Sequence, residues 1–194
     1  MVSIIVVYGS REGQTAKVAG KIVEVFDRRG HDATAVAVED VDTETALDSF
    51  DAILVGSSIH LGKHAKTVYE FVRENRDVLD ARPNAFFQVS LSSAVPDEEK
   101  QAEAAGYIDE FVEATDWHPD RIAKFGGALR YSEYGFLTRY MMKRIAKDAT
   151  GDTDTSRDYE YTDWDEVEAF ATDFAALVET GDTAAGGEPE ETQA

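Results

Sequence analysis

Short apolar runs alternate along the chain with stretches whose apolar residues recur every three or four positions. Residues 2–8 are almost continuously apolar, as in a central parallel strand covered on both faces. From Ala16 to Arg29, Val18, Ile22, Val25 and Phe26 form one helical stripe, and Gly30 is placed to end it. Further strands are predicted over 33–38, 51–55, 85–91 and 122–129, with a short helical turn at Thr43–Leu47. Helices are predicted from Lys63 or His64 to about Arg76, with Val68, Phe71 and Val72 inward, and from Asp97 to about Ala114. Asp97, Glu98 and Glu99 suit the positive end of the latter helix.

Strands that alternate with helices imply βαβ units, right-handed crossovers and a parallel sheet between two helical layers. Five strands suit an α/β fold with a doubly wound parallel sheet in the order 2-1-3-4-5, although the pattern alone leaves other orders open. The chain then continues past the fifth strand. Tyr134 to about Lys147 has helical spacing, and 148–157 is a polar loop. Thr162-Asp163-Trp164-Asp165 has the form of a capping box for a last helix to about Glu179, with Val167, Phe170, Phe174 and Leu177 as its stripe. The expected organisation is one domain over 1–179, with a helical insert at 130–160. Residues 180–194 are acidic, lack large apolar side chains, and are expected to be a disordered tail.

Composition narrows the chemistry. The 194 residues contain no cysteine, which removes disulfides, thiolate metal sites, iron–sulfur clusters and cysteine nucleophiles. Redox chemistry would need a borrowed cofactor, and no metal site is expected. The formal net charge is −20, with acids spread along the whole chain. Such a surface suits a salt-rich cytoplasm, where self-repulsion is screened, with an acidic mesophilic protein as the alternative, and it argues against nucleic acid as a partner. No apolar run approaches the roughly 18–20 residues that span a bilayer, and the N-terminus reads as a strand rather than a secretory signal. The expected location is cytoplasmic.

Three polar, small-residue loops fall at the C-terminal ends of strands one, three and four. Gly9-Ser10-Arg11-Glu12-Gly13-Gln14-Thr15 joins a buried strand to a helix. A loop of that kind presents free backbone N–H groups and the Ser10 and Thr15 hydroxyls to an anion. It lacks the Gly-Lys-Ser/Thr of a Walker loop and the Gly-x-Gly-x-x-Gly of a dinucleotide site. Gly56-Ser57-Ser58-Ile59-His60-Leu61-Gly62 and Ser90-Leu91-Ser92-Ser93-Ala94 would flank a flat ring at the switch point of the sheet. A receiver domain would need acids at the end of strand one, where Tyr8-Gly9-Ser10 stands, and a hydrolase would need Gly-x-Ser-x-Gly.

Positive charge is concentrated in one place. From Lys124 to Lys147 there are six basic residues and one acid, Glu133, leaving −25 for the rest of the chain. Leu137, Met141 and Ile145 share a face at helical spacing. A basic amphipathic segment can lie on an anionic membrane, its cations can equally pair with ligand carboxylates, and a packed surface helix with a solvated basic face is the third alternative. Arg130, Tyr131, Arg139, Lys143, Arg144 and Lys147 are the candidates for substrate or membrane contact.

Tyr8-Gly9-Ser10-Arg11-Glu12-Gly13-Gln14-Thr15 resembles the FMN phosphate loop of flavodoxins. Gly56 to Gly62, Gly127-Ala128-Leu129-Arg130-Tyr131, Gly151 to Thr155 and Tyr161-Thr162-Asp163-Trp164 extend the likeness over roughly residues 3–178. Together these motifs are similar to the flavodoxin-type, menaquinone-dependent protoporphyrinogen IX dehydrogenases. The resemblance implies a flavodoxin-like fold, FMN, a porphyrinogen-like substrate, a quinone acceptor and a peripheral contact with the cytoplasmic face of the membrane. It places Ser10, Arg11, Glu12, Gly13, Gln14 and Thr15 around the phosphate. Ser57, Ser58, Ile59, His60, Leu61 and Gly62, with Ser90, Leu91, Ser92, Ser93 and Ala94, would flank the isoalloxazine. It supplies no side-chain acid or base. An electron carrier without its own substrate and a flavin-free anion-binding domain remain as alternatives.

Overall fold

The computed structural model describes residues 1–41, 46–130, 143, 147 and 154–181. A parallel sheet of β1 (Ser3–Gly9), β2 (Asp32–Ala37), β3 (Ala52–His60), β5 (Asn84–Ser90) and β6 (Arg121–Gly126) forms its centre, in the order β2-β1-β3-β5-β6. This is the doubly wound order expected from the pattern. Helices α1 (Gln14–Arg28) and α5 (Trp164–Thr180) cover one face, and α2 (Lys66–Glu74) and α4 (Glu98–Thr115) cover the other. A short α3 (Arg76–Asp80) precedes β5.

The two faces follow from strand alternation. Ile4 and Val6 of β1 face Val18, Ile22 and Phe26 of α1 and Phe174 of α5. Ile5 and Val7 face Phe71 and Val72 of α2 and Phe111 of α4. Every one of these side chains is at most 6% exposed. Gly56 is required by this packing: a Cβ there would overlap the Phe87 ring.

Several expected elements shift. Strand three does not stop at Val55 but continues through Gly56-Ser57-Ser58-Ile59-His60, so most of the expected second loop is strand. The helix expected from Lys63 or His64 begins at Lys66, because β4 (Lys63–His64) turns back antiparallel on β3. That hairpin supplies hydrogen-bond partners for the projecting end of β3. The fifth strand breaks at Gly127, and β7 (Ala128–Leu129) pairs instead with β8 (Tyr159–Glu160). Asp163, not Thr162, caps α5, accepting from the Asp165 and Glu166 amides. The expected turn at Thr43–Leu47 falls mostly outside the described residues, and its last residue opens a 3-10 turn, Leu47–Ser49. The helix expected over 134–147 also falls mostly outside them; Lys143 and Lys147 are helical and exposed. The expected disordered tail lies outside them from residue 182 onward.

His64 lies in an aromatic nest, with ring centroids 5.0 Å from Phe111 and 5.4 Å from Phe86. Burial lowers its pKa from 6.5 to about 4, and the backbone of Tyr107 opposes that shift without closing a hydrogen bond of ordinary geometry. The unfolded chain therefore binds the extra proton between those two values. Stability present above pH 6.5 should fall by about 3 kcal/mol as the pH drops through 6.5 toward 4. Urea unfolding at a series of pH values should show this loss, and a His64→Phe variant should lack that component.

Candidate functional site

The register brings several loops to one edge of the sheet. Gly9 pairs with Ser57, Ser58 with Val89, and Ser90 with Gly126. The chain segments that follow β1, β3, β5 and β6 therefore open side by side. Between them lies a cleft that is open to solvent.

The first wall is the N-terminus of α1. Gly13 occupies the cap position with φ 81°, a left-handed conformation that favours glycine, and no side chain caps the helix. Its first turn contains no acid. By contrast, α4 and α5 each have an aspartate cap and two acids in the first turn. In a chain this acidic, α1 keeps its positive end and its first amides for something else. The Ser10 hydroxyl oxygen accepts from the Gly13 amide at 3.1 Å, leaving its hydrogen available. The Thr15 hydroxyl is fully buried and has no hydrogen-bond partner among the described residues. An orphan of this kind costs about 1–3 kcal/mol unless a ligand meets it. These donors fit an anion such as a phosphate.

The second wall is the β3–β4 hairpin. Its two turn residues, Leu61 (φ 49°) and Gly62 (φ 77°), both have positive φ, as a type I′ turn requires. Glycine meets that demand without strain, whereas Leu61 adopts it at a cost of roughly 1–2 kcal/mol. The Leu61 side chain is nevertheless 63% exposed, an apolar tip held out at the rim. Ser58, Ile59 and His60 line the cleft, while Ser57 is buried within the strand. His60 titrates below its ordinary value, first because of burial and then because of the Arg11 charge, with Glu12 opposing. Its ring is neutral at pH 7.

The third wall is Ser90 to Ala94. The Ser90 and Ser93 hydroxyls meet at 2.8 Å, the Ser93 amide donates to Ser90 Oγ, and the Gly127 amide donates to the Ser90 carbonyl. Ser90 and Leu91 line the cleft beside Val89, Gly127 and Ala128. Ser92 lines an adjoining hollow with Leu61, Gly62, Glu103 and Tyr107. There the Tyr107 hydroxyl donates to Glu103 at 2.5 Å. Burial and that bond push the Tyr107 pKa up to about 12, and the same bond holds Glu103 below the usual carboxylate range.

Behind the cleft runs a buried chain of hydrogen bonds. Arg130 Nη2 donates to Gln14 Oε1 at 3.2 Å, Gln14 Nε2 donates to Thr162 Oγ1 at 2.8 Å, and Thr162 donates to the Gly126 carbonyl at 2.6 Å. Gln14 therefore borders the cleft while its amide faces inward. Arg130 also lies 3.9 Å from Glu160.

Of the residues expected to bind cofactor, Ser10, Arg11, Glu12, Gln14, Thr15, Ser58, Ile59, His60, Ser90 and Leu91 meet in this cleft. Gly13 shapes the cap, Leu61, Gly62 and Ser92 border the hollow next to it, and Ser93 braces Ser90. Ala94 follows as the end of a single 3-10 turn. Tyr131, Arg139 and Arg144 lie outside the described residues. Sequence reading missed Thr162, Val89, Gly127 and Tyr107. Gly126-Gly127 was the available signal for the strand break, since a Cβ at Gly126 would overlap the Tyr161 carbonyl.

The Flavodoxin domain family matches residues 5–156. The chain is 32% identical over 175 residues to the protoporphyrinogen IX dehydrogenase (quinone) of Escherichia coli K12, covering 90% of this chain and 96% of that protein. It is also 32% identical over 177 residues to the Leishmania major protein of the same name, covering 89% and 74%. Among solved structures, a short-chain flavodoxin associated with a bacterial microcompartment superposes with a TM-score of 0.59 at 13% identity, covering 92% of this chain and 99% of that one. Flavodoxin 2 from Bacillus cereus gives 0.54 at 18% identity, covering 90% and 98%. At those identities the structural likeness concerns the fold.

Proposed function

The chain belongs to the Flavodoxin domain family, and on that premise we propose that it is an FMN-dependent oxidoreductase that takes hydrogens from protoporphyrinogen IX and passes electrons to a membrane quinone. The observation that carries this reading is the uncapped, acid-free start of α1 with the buried, unpartnered Thr15 hydroxyl beside it. The substrate and acceptor come from the names of the relatives, one of which this chain matches over 96% of its length.

Thr15, Ser10 and the first amides of α1 would hold the phosphate, and Arg11 would add positive charge at its edge. The β3–β4 hairpin and the Ser90–Ala94 segment would hold the ring system between them. The apolar Ile59 and Leu91 line the cleft and would pack against the ring. The Arg130–Gln14–Thr162–Gly126 chain would keep the walls in place. FMN, when bound, supplies the electron-accepting chemistry that a chain without cysteine lacks.

The quinone acceptor implies work at a membrane surface. Among the described residues no helix is long and apolar enough to cross a bilayer, and Lys143 and Lys147 are exposed. We place the protein on the cytoplasmic face, held by its basic segment against anionic lipid, and in a salt-rich cytoplasm suited to its charge. Neutralising Arg139, Lys143, Arg144 and Lys147 together should reduce sedimentation with anionic liposomes and leave FMN affinity unchanged. Equal sedimentation of this variant and the wild type would remove the membrane role.

Anaerobic stopped-flow mixing of FMN-loaded protein with protoporphyrinogen IX tests the enzyme reading. Flavin bleaching on mixing, with recovery when a menaquinone analogue is added, is expected. A flavin that stays oxidised while an artificial reductant bleaches it would favour a simple electron carrier.

A further inference from the structure

A second helix start on the same rim is also acid-free and lacks a side-chain cap. Helix α2 begins at Lys66 after Ala65, and Val68 is the first of its amides to find a local carbonyl, that of Ala65. Beside this start lies a separate cleft that shares Ser10, Arg11, Ser58 and His60 with the α1 site and adds Lys63, His64 and Lys66.

Many cations of the described residues pair with carboxylates: Lys17 with Glu160, Lys21 and Arg28 with Glu168, Arg29 with Glu179, Arg121 with Asp173. Others donate to neutral oxygens, Arg73 and Arg82 to backbone carbonyls and Lys124 to Gln101. Among the described residues, neither Arg11 nor Lys63 has a carboxylate within ion-pair distance, although acids outnumber bases about two to one. The acid that lines this cleft, Glu39, accepts from Thr67 at 3.3 Å, and Lys66 reaches Glu70. His64, which is 6% exposed, lines the same cleft, and among the described residues neither of its ring nitrogens has a hydrogen-bond partner of ordinary geometry. An uncapped helix start and two cations without a carboxylate partner therefore line one cleft, with the buried His64 in its wall.

We propose that the cleft bounded by Arg11, Lys63 and the start of α2 holds a propionate carboxylate of the porphyrinogen, next to the cofactor's phosphate site and separate from it. This inference rests on the functional reading above. A carboxylate fits better than a second phosphate. Arg11 stands on the wall shared by the two clefts, and its planar guanidinium suits a carboxylate in two-point fashion, while the phosphate of FMN would take its hydrogen bonds from the start of α1 and feel Arg11 only as nearby charge. The shared wall of Arg11, Ser58 and His60 lets one molecule reach from the ring site into this cleft.

The test is a fluorescence titration of FMN-loaded protein with protoporphyrin IX and with its dimethyl ester, for the wild type and for a Lys63→Gln, Lys66→Gln double variant. The wild type should bind the diacid about tenfold more tightly than the diester, the size of one charge-assisted contact. The variant should lose that preference and keep its FMN affinity. Equal binding of diacid and diester by the wild type, or an unchanged preference in the variant, would overturn the subsite and leave the enzyme reading intact. Binding of FMN without either porphyrin would overturn both. A variant that loses FMN affinity would give the cleft to the cofactor's phosphate, which also overturns the proposal.

Discussion

A Ser10→Ala, Thr15→Val double variant should bind FMN at least a hundredfold more weakly than the wild type while folding normally. Each hydroxyl would donate to a charged phosphate oxygen, and such bonds contribute about 1.5–3 kcal/mol each. Two of them amount to about 3–6 kcal/mol if they act independently, and neighbouring groups on one ligand fall somewhat short of additivity. Folding should be spared for a specific reason. The Thr15 hydroxyl is buried without a partner among the described residues, so valine in its place removes an orphan polar group and keeps the shape. Ser10→Ala removes the acceptor of the Gly13 amide, but that bond is exposed and water can replace it, so the variant's apoprotein should be about as stable as the wild-type apoprotein, with the main penalty appearing on flavin binding. Parallel flavin-fluorescence titration and urea unfolding would separate the two effects. A loss of stability that matched the loss of affinity would mean that Thr15 is a structural residue.

Thr162→Val should do the opposite, destabilising the apoprotein by about 4 kcal/mol. The Thr162 hydroxyl accepts from Gln14 and donates to the Gly126 carbonyl, and valine leaves both unmet in a buried place. Each buried orphan costs about 1–3 kcal/mol. Gln14 begins α1 and Gly126 ends β6, so this one hydroxyl joins two walls of the cleft and the approach to α5. Loosened walls should also weaken FMN binding, by less than in the Ser10/Thr15 variant, because no phosphate donor is removed. Chemical unfolding of the apoprotein measures the first effect. A change below 1 kcal/mol would show that the Gln14 amide and the Gly126 carbonyl are hydrated.

The sheet was legible because its strands are buried on both faces. Ile4 to Val7, Ile53 to Val55 and Phe86-Phe87 read as apolar runs whichever face each residue serves. The place of the loop after β1, at the start of α1 and in the cleft, was legible because its glycine and hydroxyls sit between an apolar run and a helical stripe, a local pattern that needs no tertiary partner. The extension of β3 was not legible. Gly56-Ser57-Ser58 has the composition of a loop, and only pairing with β5 and β4 makes it strand. Lys63 and His64 read as the start of a helix for the same reason. Thr162 was read as a local helix cap, but its partners lie 148 and 36 positions away in sequence. Asp163, next to it, offered the same cap chemistry and took the role. Short-range rules thus picked out residues that meet in the cleft and missed the hydrogen bonds behind it.

Comparing FMN with riboflavin on the wild-type apoprotein tests the central claim most directly, because the two ligands differ only in the phosphate. If the start of α1, with Ser10 and Thr15, is a phosphate site, quenching titrations at fixed high salt should show FMN binding at least a hundredfold more tightly than riboflavin. Equal affinities, or tighter binding of riboflavin, would contradict the account.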